Sequence, residues 1–541
     1  MTSLQGNRER KGTLNASRDS VAAHVKMKSL AFFSCGLVFV QVLCFAVIIQ
    51  AGPVFNKDRD AFLQREKNMF LGCNITLSDK EAEVNSILMT HKRSEYMKGL
   101  QNPTTFSPAR NFLLAKRDID DSEVFKIIQK APKGAALHNH DQALVSTDFL
   151  VYNLTYMPNL YTCKTSRGMW LFHFFQEPDR KCGWKLVSEL RNNATNVTQF
   201  DEALKRNFTL ITSNPRAKYP DINAVWKIFI KIFRTVRGLI FYRPAFESYY
   251  LQVLKEFKED NVMYLELRSE VRGLYELNGT ILPYNEIASI FDRLTRQFIY
   301  ENPDFLGVKI IYSVIRRVDN KILEEHLRKA QNLKKVYPDL IAGFDLMGQE
   351  DMGRSLEYFA DTLITANKEL KYFFHAGETN WEGLTDLNLV DAILLNTTRI
   401  GHGYAITKHP LVMKLVKQRQ IAIEVNPISN QVLMLVQDLR NHPAATLMAD
   451  NYPVVISSDD PSFWGAKALS HDMYEAFMGI AGLDADLRVL KQLALNSLKY
   501  SALDKNDKED AISAWEEKWN RFIDEVLKDQ NYNNVKNKTQ E

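Results

Sequence analysis

The sequence predicts an α/β protein: a TIM (β/α)8 barrel with an N-terminal helical extension and an insertion after its first strand. Eight short apolar segments alternate with segments of helical periodicity, as in parallel strands joined by helices. Polar residues collect at the carboxyl ends of these segments, where the active sites of such barrels lie. A doubly wound sheet would show a similar alternation, but the count of eight favours the closed barrel.

The predicted strands determine the domain boundaries. They cover residues 134–140, 262–268, 307–316, 340–348, 372–378, 399–405, 421–429 and 453–460. We therefore assign the barrel to residues 131–525, the helical extension to 53–130 and a polar tail to 526–541. The first gap between strands is far longer than the others, so residues 150–215 are interpreted as an inserted surface subdomain.

Composition excludes one class of partner. Of the 541 residues, 45% are hydrophobic and 25% are charged, which are ordinary values for a globular protein. The net charge of +4 comes from 69 basic and 65 acidic residues, and no domain stands out as a basic block. This balance argues against nucleic acid as an obligatory partner.

An uncharged apolar run at residues 30–51 is long enough to cross a bilayer. Residues 1–28 before it form a cytoplasmic segment or the n-region of a signal, and residues 29–52 form either a cleaved signal peptide or an uncleaved signal anchor. Both alternatives place the rest of the chain outside the cytosol. The protein is then secreted, or it is a type II membrane protein with a lumenal or extracellular catalytic domain.

Glycosylation motifs and cysteines agree with export. Eight Asn-x-Ser/Thr sequons follow the apolar run, at Asn74, Asn153, Asn193, Asn196, Asn207, Asn278, Asn396 and Asn537. Cys163 and Cys182 are close enough in sequence to form a disulfide that closes a loop, although two unrelated buried thiols are the alternative. Cys35 and Cys44 lie in the apolar run, and Cys73 is left over.

Three histidines and an aspartate form a candidate metal site. His138 and His140 are two residues apart on a predicted strand, so both imidazoles point to the same face. His-x-His alone is a weak signal. Together with His375 and Asp459 at other strand ends, it matches a hydrolytic zinc site that keeps a position for water.

Further polar residues at the strand ends are candidates for proton transfer. Glu378 follows His375 by three residues, and a buried carboxylate beside a metal can act as a general acid or base. His402 is flanked by glycines at another strand end, and these glycines are expected to let a substrate approach closely. Asp459 and Asp460 are adjacent, so the chain must turn there if one binds metal and the other binds substrate.

Four motifs carry a resemblance to a known family. The segments KGAALHNHD, FFHAGET, RIGHGYA and VISSDDP resemble the adenosine deaminases of the metal-dependent amidohydrolase superfamily. The similarity is greatest to the secreted adenosine deaminase-related growth factor group and extends over nearly all of residues 57–525. It implies hydrolytic deamination of adenosine, and of 2'-deoxyadenosine, to inosine and ammonia. It also implies a homodimer formed through the helical extension.

The resemblance assigns roles to individual residues. One Zn²⁺ would be held by the ligand set His138, His140, His375 and Asp459. Glu378 would protonate the purine N1, His402 would take a proton from the attacking water, and Asp460 would hold the purine N7. The backbone of Gly348 would contact the purine ring. Asp141 and Trp226 would contact the ribose side, although Trp226 could equally be a buried helix anchor.

Two departures from the family pattern and two rival functions qualify this interpretation. Asn139 stands between the metal histidines where an apolar residue is usual, and Ile315 replaces a substrate-contacting histidine, which puts affinity and nucleoside preference in doubt. One rival is a growth-factor-like protein that uses the barrel as a scaffold to bind a cell-surface receptor or glycan. The other is a zinc hydrolase of a different substrate such as AMP, against which the lack of a basic phosphate clamp argues.

Overall fold

The computed structural model describes residues 55–366 and 369–538. Contacts divide the chain into two units, Met1–Arg65 and Glu66–Glu541. In the first unit, residues 55–65 are helical, and the predicted segments 1–28 and 29–52 lie outside the described residues. Among the residues that are described, no helix is long and apolar enough to span a membrane.

The second unit contains the strands. In chain order they are β1 (Gly134–His140), β2 (Leu160–Lys164), β3 (Trp170–Phe174), β4 (Lys185–Leu186), β5 (Val262–Ser269), β6 (Gly307–Ile315), β7 (Ile341–Met347), β8 (His375–Ala376), β9 (Arg399–His402), β10 (Ala422–Val425) and β11 (Val454–Ile456). Two four-stranded parallel sheets have the orders β1-β5-β6-β7 and β11-β10-β9-β8.

These two sheets close into one barrel. A parallel bridge between Asn139 and Asp459 joins the end of β1 to the residues after β11, and a second bridge between Phe344 and Tyr372 joins β7 to the residues before β8. Each strand therefore has a parallel neighbour on both sides, and the predicted eight-stranded barrel is confirmed.

The later strands are shorter than predicted. β8 contains only His375 and Ala376, because the backbone pairs regularly with β9 over two residues before the polar loop begins. The strands are almost fully buried, as expected where helices cover the outside of a parallel barrel and side chains fill the inside. Their polar carboxyl ends consequently meet at one face of the barrel.

Helices of the extension pack on the last helices of the chain. The extension contains Asp79–Gln101, Phe112–Asp120 and Glu123–Lys130, and the last two helices are Leu487–Lys499 and Lys505–Lys538. Ser78 starts the first of these helices with a capping box completed by Glu81. Glu81 Oε1 also accepts hydrogen bonds from Trp519 Nε1 and Lys491 Nζ, each at 2.7 Å. One carboxylate thus connects the extension to both terminal helices.

The insertion between β1 and β5 is a small antiparallel sheet with helices. β2 lies between β3 and β4, and a disulfide joins Cys163 to Cys182, as one of the two sequence-based alternatives predicted. The helices are Thr147–Tyr152, Val187–Asn192, Val197–Lys205, Pro215–Lys218, Ile222–Ile240 and Arg243–Glu259. A Cβ at Gly238 would lie 2.1 Å from the carbonyl oxygen of Phe172, so only glycine allows this contact between helix and sheet.

The remaining helices surround the later strands. They are Tyr284–Glu301, Asn320–Val336, Ala360–Ala366, Asn388–Leu394, Pro410–Arg419, Pro427–Val432, Ala444–Ala449, Pro461–Trp464 and Ser470–Glu475, the last continuing into a π-helical segment, Ala476–Ile480. The helix Pro427–Val432 begins two residues after the end of β10, so the carboxyl end of this strand lies next to a helix N-terminus.

Candidate metal centre and active site

The four predicted metal ligands converge at the carboxyl ends of β1, β8 and β11. His138 Nε2 lies 3.1 Å from His375 Nε2 and 3.5 Å from Asp459 Oδ1. His140 Nε2 lies 3.1 Å from the same Asp459 oxygen. Within two overlapping groups, the donor atoms of His138, His140 and His375, and those of His138, His402 and Asp459, lie within 4.8 Å of one another.

Carboxylates hold the opposite sides of two of these imidazoles. His138 Nδ1 lies 2.7 Å from Glu424 Oε2, and His375 Nδ1 lies 2.6 Å from Asp345 Oδ2. Burial lowers the pKa of both histidines, so the rings are neutral and each Nδ1 donates its single hydrogen to a carboxylate. The two Nε2 lone pairs then face each other at close range, an arrangement that a cation would relieve.

The environment of Asp459 also favours the binding of a cation. Asp459 Oδ1 is buried and makes no hydrogen bond of good geometry with any described residue, although His140 Nε2 is near. An ionised buried carboxylate without a donor is costly, and a divalent ion between the histidines and Asp459 would remove that cost. Three imidazole nitrogens and one carboxylate oxygen are a donor set that suits zinc.

Two buried arginines neutralise the carboxylates beneath the histidines. Arg268 Nε donates to Asp345 Oδ2 at 2.8 Å, and its Nη2 donates to Glu424 Oε2 at 2.6 Å. Arg399 Nε donates to Glu424 Oε1 at 2.6 Å, and its Nη2 donates to Glu266. All five side chains are buried, so they form a charged layer inside the barrel. Sequence reasoning missed this layer, although charged residues inside otherwise apolar strands were a visible signal.

Two site residues have a left-handed backbone conformation. His402 has φ of 60° and Asp459 has φ of 58°, in a region that residues other than glycine rarely adopt. The turn at Asp459 is the one that the adjacent Asp459 and Asp460 require. A conformation of this kind persists only where surrounding structure holds it, and here it directs both side chains to the ligand cluster.

Gly401 makes room for His138, one of the proposed metal ligands. A Cβ at this position would lie 2.9 Å from Cε1 of His138 and 3.2 Å from Cα of His375. The sequence suggested that the glycines around His402 let a substrate approach closely. At Gly401, the group that approaches is instead the imidazole of His138.

Glu378 is held in a buried loop beyond β8. Its backbone N–H donates to Glu350 Oε2 at 2.7 Å, and its Oε1 lies 3.8 Å from His402 Nδ1. Burial raises the pKa of Glu378 well above its ordinary value, and the negative charges of Asp459 and Glu350 raise it further. The raised pKa favours the protonated form of the carboxyl group, which is the form that a general acid supplies.

Asp460 is a second buried carboxyl group at the site. Its side chain is buried, and Oδ1 has no hydrogen-bond partner among the described residues. Burial raises the pKa of Asp460 well above its ordinary value, with the charge of Asp459 adding to the effect. Asp460 can therefore donate a hydrogen bond to an acceptor in the site.

His402 is buried between Asp459 and two asparagines. Its Nε2 lies 3.9 Å from Asp459 Oδ2, while its Nδ1 lies 3.1 Å from Asn430 Nδ2 and 3.4 Å from Asn426 Nδ2. Burial lowers the pKa of His402 to about 3, so the ring is neutral at physiological pH. The asparagines were not among the residues that the sequence singled out.

Gly348 and Ile315 lie side by side at neighbouring strand ends. Gly348 follows β7 with φ of 97°, and Ile315 ends β6 with its side chain 40% exposed. Ile315 Cγ2 would lie 3.6 Å from a Cβ at Gly348, and apart from the chain neighbours of Gly348 it is the only atom of the described residues within 4 Å. The backbone of Gly348 is therefore open on this side, and the residue that borders it is apolar.

Asp141 directly follows the proposed ligand His140, whereas Trp226 lies in the part of the chain inserted between β1 and β5. Asp141 accepts a hydrogen bond from Ser269 Oγ at 2.5 Å, and burial raises its pKa to about 6. Trp226 is buried in the helix Ile222–Ile240 and packs edge-on against Phe229, with ring centroids 5.2 Å apart. Phe229 in turn packs on Phe463, close behind Asp460 in the chain. Contact of either residue with ribose stays a prediction.

Asn139 has a hydrogen-bond partner in the segment that follows β11. Its buried side chain accepts a hydrogen bond from Ser458 Oγ at 3.1 Å, and its backbone forms the bridge to Asp459 that closes the barrel. The polar side chain of Asn139 is therefore satisfied by the segment that follows β11, which accounts for its presence at a position where an apolar side chain is usual.

Two family models match the chain. One, described as adenosine deaminase, matches residues 198–518, and another, described as adenosine/AMP deaminase N-terminal, matches residues 47–128. Adenosine deaminase 2 of Homo sapiens is 46% identical over 498 residues, covering 90% of this chain and 97% of that protein. An adenosine deaminase of Lutzomyia longipalpis is 46% identical over 475 residues, covering 87% of this chain and 93% of that protein.

Solved structures resemble the chain in fold. An adenine deaminase from Arthrobacter aurescens has a TM-score of 0.51 at 18% identity and covers 72% of this chain and 99% of that chain. An amidohydrolase from Burkholderia ambifaria with bound Zn has a TM-score of 0.50 at 18% identity and covers 75% of this chain and 94% of that chain. At these identities the likeness concerns the barrel and not the substrate.

Proposed function

The chain belongs to the adenosine deaminase family and is an enzyme of that class, and we propose that it uses one zinc ion to hydrolyse adenosine to inosine and ammonia. The observation that carries this proposal is the meeting of His138, His140, His375 and Asp459 beside two buried carboxyl groups, those of Glu378 and Asp460. Each component of a hydrolytic deaminase is then present within one cluster.

Zinc suits the donor atoms of the ligand set. When bound, such an ion would lower the pKa of a water molecule and so supply a nucleophile at neutral pH. The carboxylates of Glu424 and Asp345 keep His138 and His375 in the tautomer that leaves Nε2 free for a metal. The amidohydrolase solved with bound Zn supports this choice of metal through its related fold.

Glu378 and Asp460 bind the purine through the protons that burial keeps on them. Glu378 gives its proton to N1, which makes C6 electrophilic, and Asp460 donates a hydrogen bond to N7. Both acceptors are ring nitrogens with free lone pairs, so ionised carboxylates would repel them. The backbone of Gly348 contacts the ring from the end of β7.

The proton balance closes without a further reagent. Water adds its oxygen to C6, and the C6–N6 bond breaks as the amino group leaves. One proton of the water goes to the departing amino group to form ammonia, and the other restores the proton that Glu378 gave to N1. His402 lies beside Asp459 and acts on the water during this exchange.

A substrate panel with zinc control tests the proposal. The purified full chain is stripped of metal, reloaded with zinc and assayed for ammonia release from adenosine, 2'-deoxyadenosine, AMP and adenine. We expect zinc-dependent turnover of the two nucleosides and little turnover of AMP, because the similar proteins of Homo sapiens and Lutzomyia longipalpis are described as adenosine deaminases. Zinc-loaded protein that releases no ammonia from adenosine would refute the assignment.

The extracellular setting and the assembly belong to the same proposal. Exposed sequons and the Cys163–Cys182 disulfide support passage through an oxidising compartment, after which the enzyme is secreted or held by its N-terminal segment. A homodimer through residues 53–130 is expected from the family resemblance, and light scattering of the purified chain would test it. The same resemblance suggests a cell-surface receptor or glycan as a further partner.

A further inference from the structure

A further buried histidine, His442, lies close to the active site and has no role in the chemistry proposed above. Its Nδ1 lies 3.0 Å from the backbone nitrogen of Ala444, which donates a hydrogen bond to it. A backbone N–H can only donate, so Nδ1 of His442 carries no hydrogen. Burial keeps this ring neutral, and its single hydrogen is therefore on Nε2.

That hydrogen determines how a neighbouring amide is oriented. His442 Nε2 lies 2.9 Å from Asn430 Oδ1 and donates to it. The other end of the amide, Nδ2, is then directed at His402 Nδ1 at 3.1 Å. Asn430 is fully buried in the helix Pro427–Val432, so no solvent competes for either end.

The orientation of Asn430 in turn places the hydrogen on His402. An amide NH₂ group can only donate, so His402 Nδ1 accepts and the hydrogen of the neutral ring is on Nε2. This nitrogen points to the metal centre, 3.9 Å from Asp459 Oδ2. Glu378 Oε1 is near Nδ1 at 3.8 Å, which is beyond hydrogen-bond distance.

We propose that Asn430 and His442 are positioning residues that fix the tautomer of His402, so that His402 presents an N–H to the reacting oxygen. His402 then holds and orients that oxygen by donating a hydrogen bond. The sequence resemblance implied the opposite direction, in which His402 takes a proton from the water. The proposal rests on the proposed function for the identity of the oxygen, but the hydrogen-bond chain itself does not depend on it.

Asn430→Asp reverses the tautomer with almost no change in shape. A carboxylate accepts from both His442 Nε2–H and His402 Nδ1–H, so the hydrogen of His402 moves from Nε2 to Nδ1. We expect kcat for adenosine to fall at least about tenfold while KM and zinc content stay close to wild type, the usual scale for partners of this kind. Wild-type kcat in Asn430→Asp would overturn the proposal.

Two substitutions of His442 separate positioning from packing. His442→Gln keeps an N–H that can reach Asn430, and it should retain most of kcat, whereas His442→Leu frees the amide to rotate and should lower kcat. His471→Leu is the matched control, because His471 is another buried histidine that accepts from a backbone N–H, that of Lys467 at 2.8 Å. Equal losses in His442→Gln and His442→Leu would contradict a positioning role.

A spectroscopic measurement tests the chain without relying on activity. Metal-free protein labelled with ¹⁵N in its 11 histidines reports the tautomer of each ring, and His402→Gln identifies the signal of His402. We expect the Nε2–H form in the wild type and the Nδ1–H form in Asn430→Asp. An Nδ1–H signal in the wild type would overturn the proposal even if adenosine is deaminated, and the Nε2–H signal would support it even if adenosine is not.

Discussion

Glu350 accepts a hydrogen bond from the backbone N–H of Glu378, with 2.7 Å between Oε2 and the nitrogen, so one carboxylate holds the loop that carries another. Its second oxygen accepts from the N–H of Gly377 at 2.9 Å and from Asn388 Nδ2 at 2.7 Å. Arg316 Nη1 lies 3.8 Å from the same oxygen. This network connects the ends of β6, β7 and β8 at the position of the proposed acid.

Glu350→Gln should change the pH dependence of deamination. Burial raises the pKa of Glu378 most, and the charges of Asp459 and Glu350 add to it, so removing the charge of Glu350 lowers this pKa. Glu378 acts in its protonated form, and activity is lost as pH rises through its pKa. We therefore expect the alkaline fall of kcat/KM to begin at lower pH in the variant, together with a lower kcat.

A profile of kcat/KM against pH measures this shift. Glu357→Gln is the control, since Glu357 is an exposed carboxylate in the same connection between β7 and β8. An alkaline limb that moves equally in both variants, or in neither, would contradict the proposed link between Glu350 and Glu378.

Two substitutions should distinguish the residues that bind metal from the residue that transfers a proton. His375→Ala removes a ligand and should abolish zinc binding and activity together. Glu378→Gln keeps the size of the side chain but has no proton to give to N1, so zinc should stay bound while kcat falls by about 100-fold or more. Zinc content by atomic absorption, measured beside kcat, distinguishes the two. Near wild-type turnover in Glu378→Gln would remove Glu378 from the mechanism.

Strand periodicity and strand-end polarity were enough to predict the barrel and to bring the four proposed metal ligands together. The carboxyl ends of parallel strands meet at one face, so residues far apart in sequence are placed side by side. This reasoning located His138, His375 and Asp459 without any knowledge of side-chain contacts. The turn at Asp459 also followed from the sequence, because adjacent residues on a strand point to opposite faces.

The residues that contact the proposed ligands from the side away from the metal site could not be predicted from strand order. Arg268 on β5 reaches Asp345 on β7 and Glu424 on β10, and strand order alone does not specify such contacts across a barrel. Asn430 and His442 come from separate short segments and meet only through tertiary packing. The positions of the proposed ligands follow from the direction of each strand. The contacts among Arg268, Asp345 and Glu424 depend instead on how far each side chain extends across the barrel.

Asp345→Asn should weaken zinc binding. Asp345 Oδ2 holds His375 Nδ1 at 2.6 Å, and a neutral amide would no longer favour the tautomer that leaves Nε2 free. We expect zinc affinity to fall by roughly 10- to 100-fold, as for other partners of metal-binding histidines. Competition with a chromophoric chelator measures the affinity. Asp386→Asn is the control, because Asp386 pairs with His409 at 2.9 Å outside the site; equal affinities in both variants would contradict the role of Asp345.

Glycosidase treatment should lower the apparent mass of the full chain expressed in a eukaryotic secretory cell. Six sequon asparagines are exposed in the structure, namely Asn74, Asn153, Asn193, Asn196, Asn278 and Asn396. Asn207 is only half-exposed and donates to the carbonyl of Ala203 at 2.7 Å, so it should be the poorest acceptor. Retention on membranes after a carbonate wash would indicate an anchor, and a soluble form beginning near residue 52 a signal peptide. An unglycosylated cytosolic product would contradict export.

Cys163→Ser should destabilise the insertion without affecting the chemistry. The disulfide joins β2 to the segment before β4 over a sequence separation of 19, and β4 itself pairs with β2 through only two residues. Closing a loop of this size stabilises the folded state by about 3 kcal/mol on the chain-entropy model. Urea unfolding of Cys163→Ser should therefore show a loss of this order in the transition that includes the insertion, and Cys73→Ser, which removes a free cysteine, is the control. The proposed metal ligands lie on barrel strands or directly after them, so kcat should stay near wild type. A zinc-free or inactive Cys163→Ser protein that remains folded would mean that the insertion helps to form the active site.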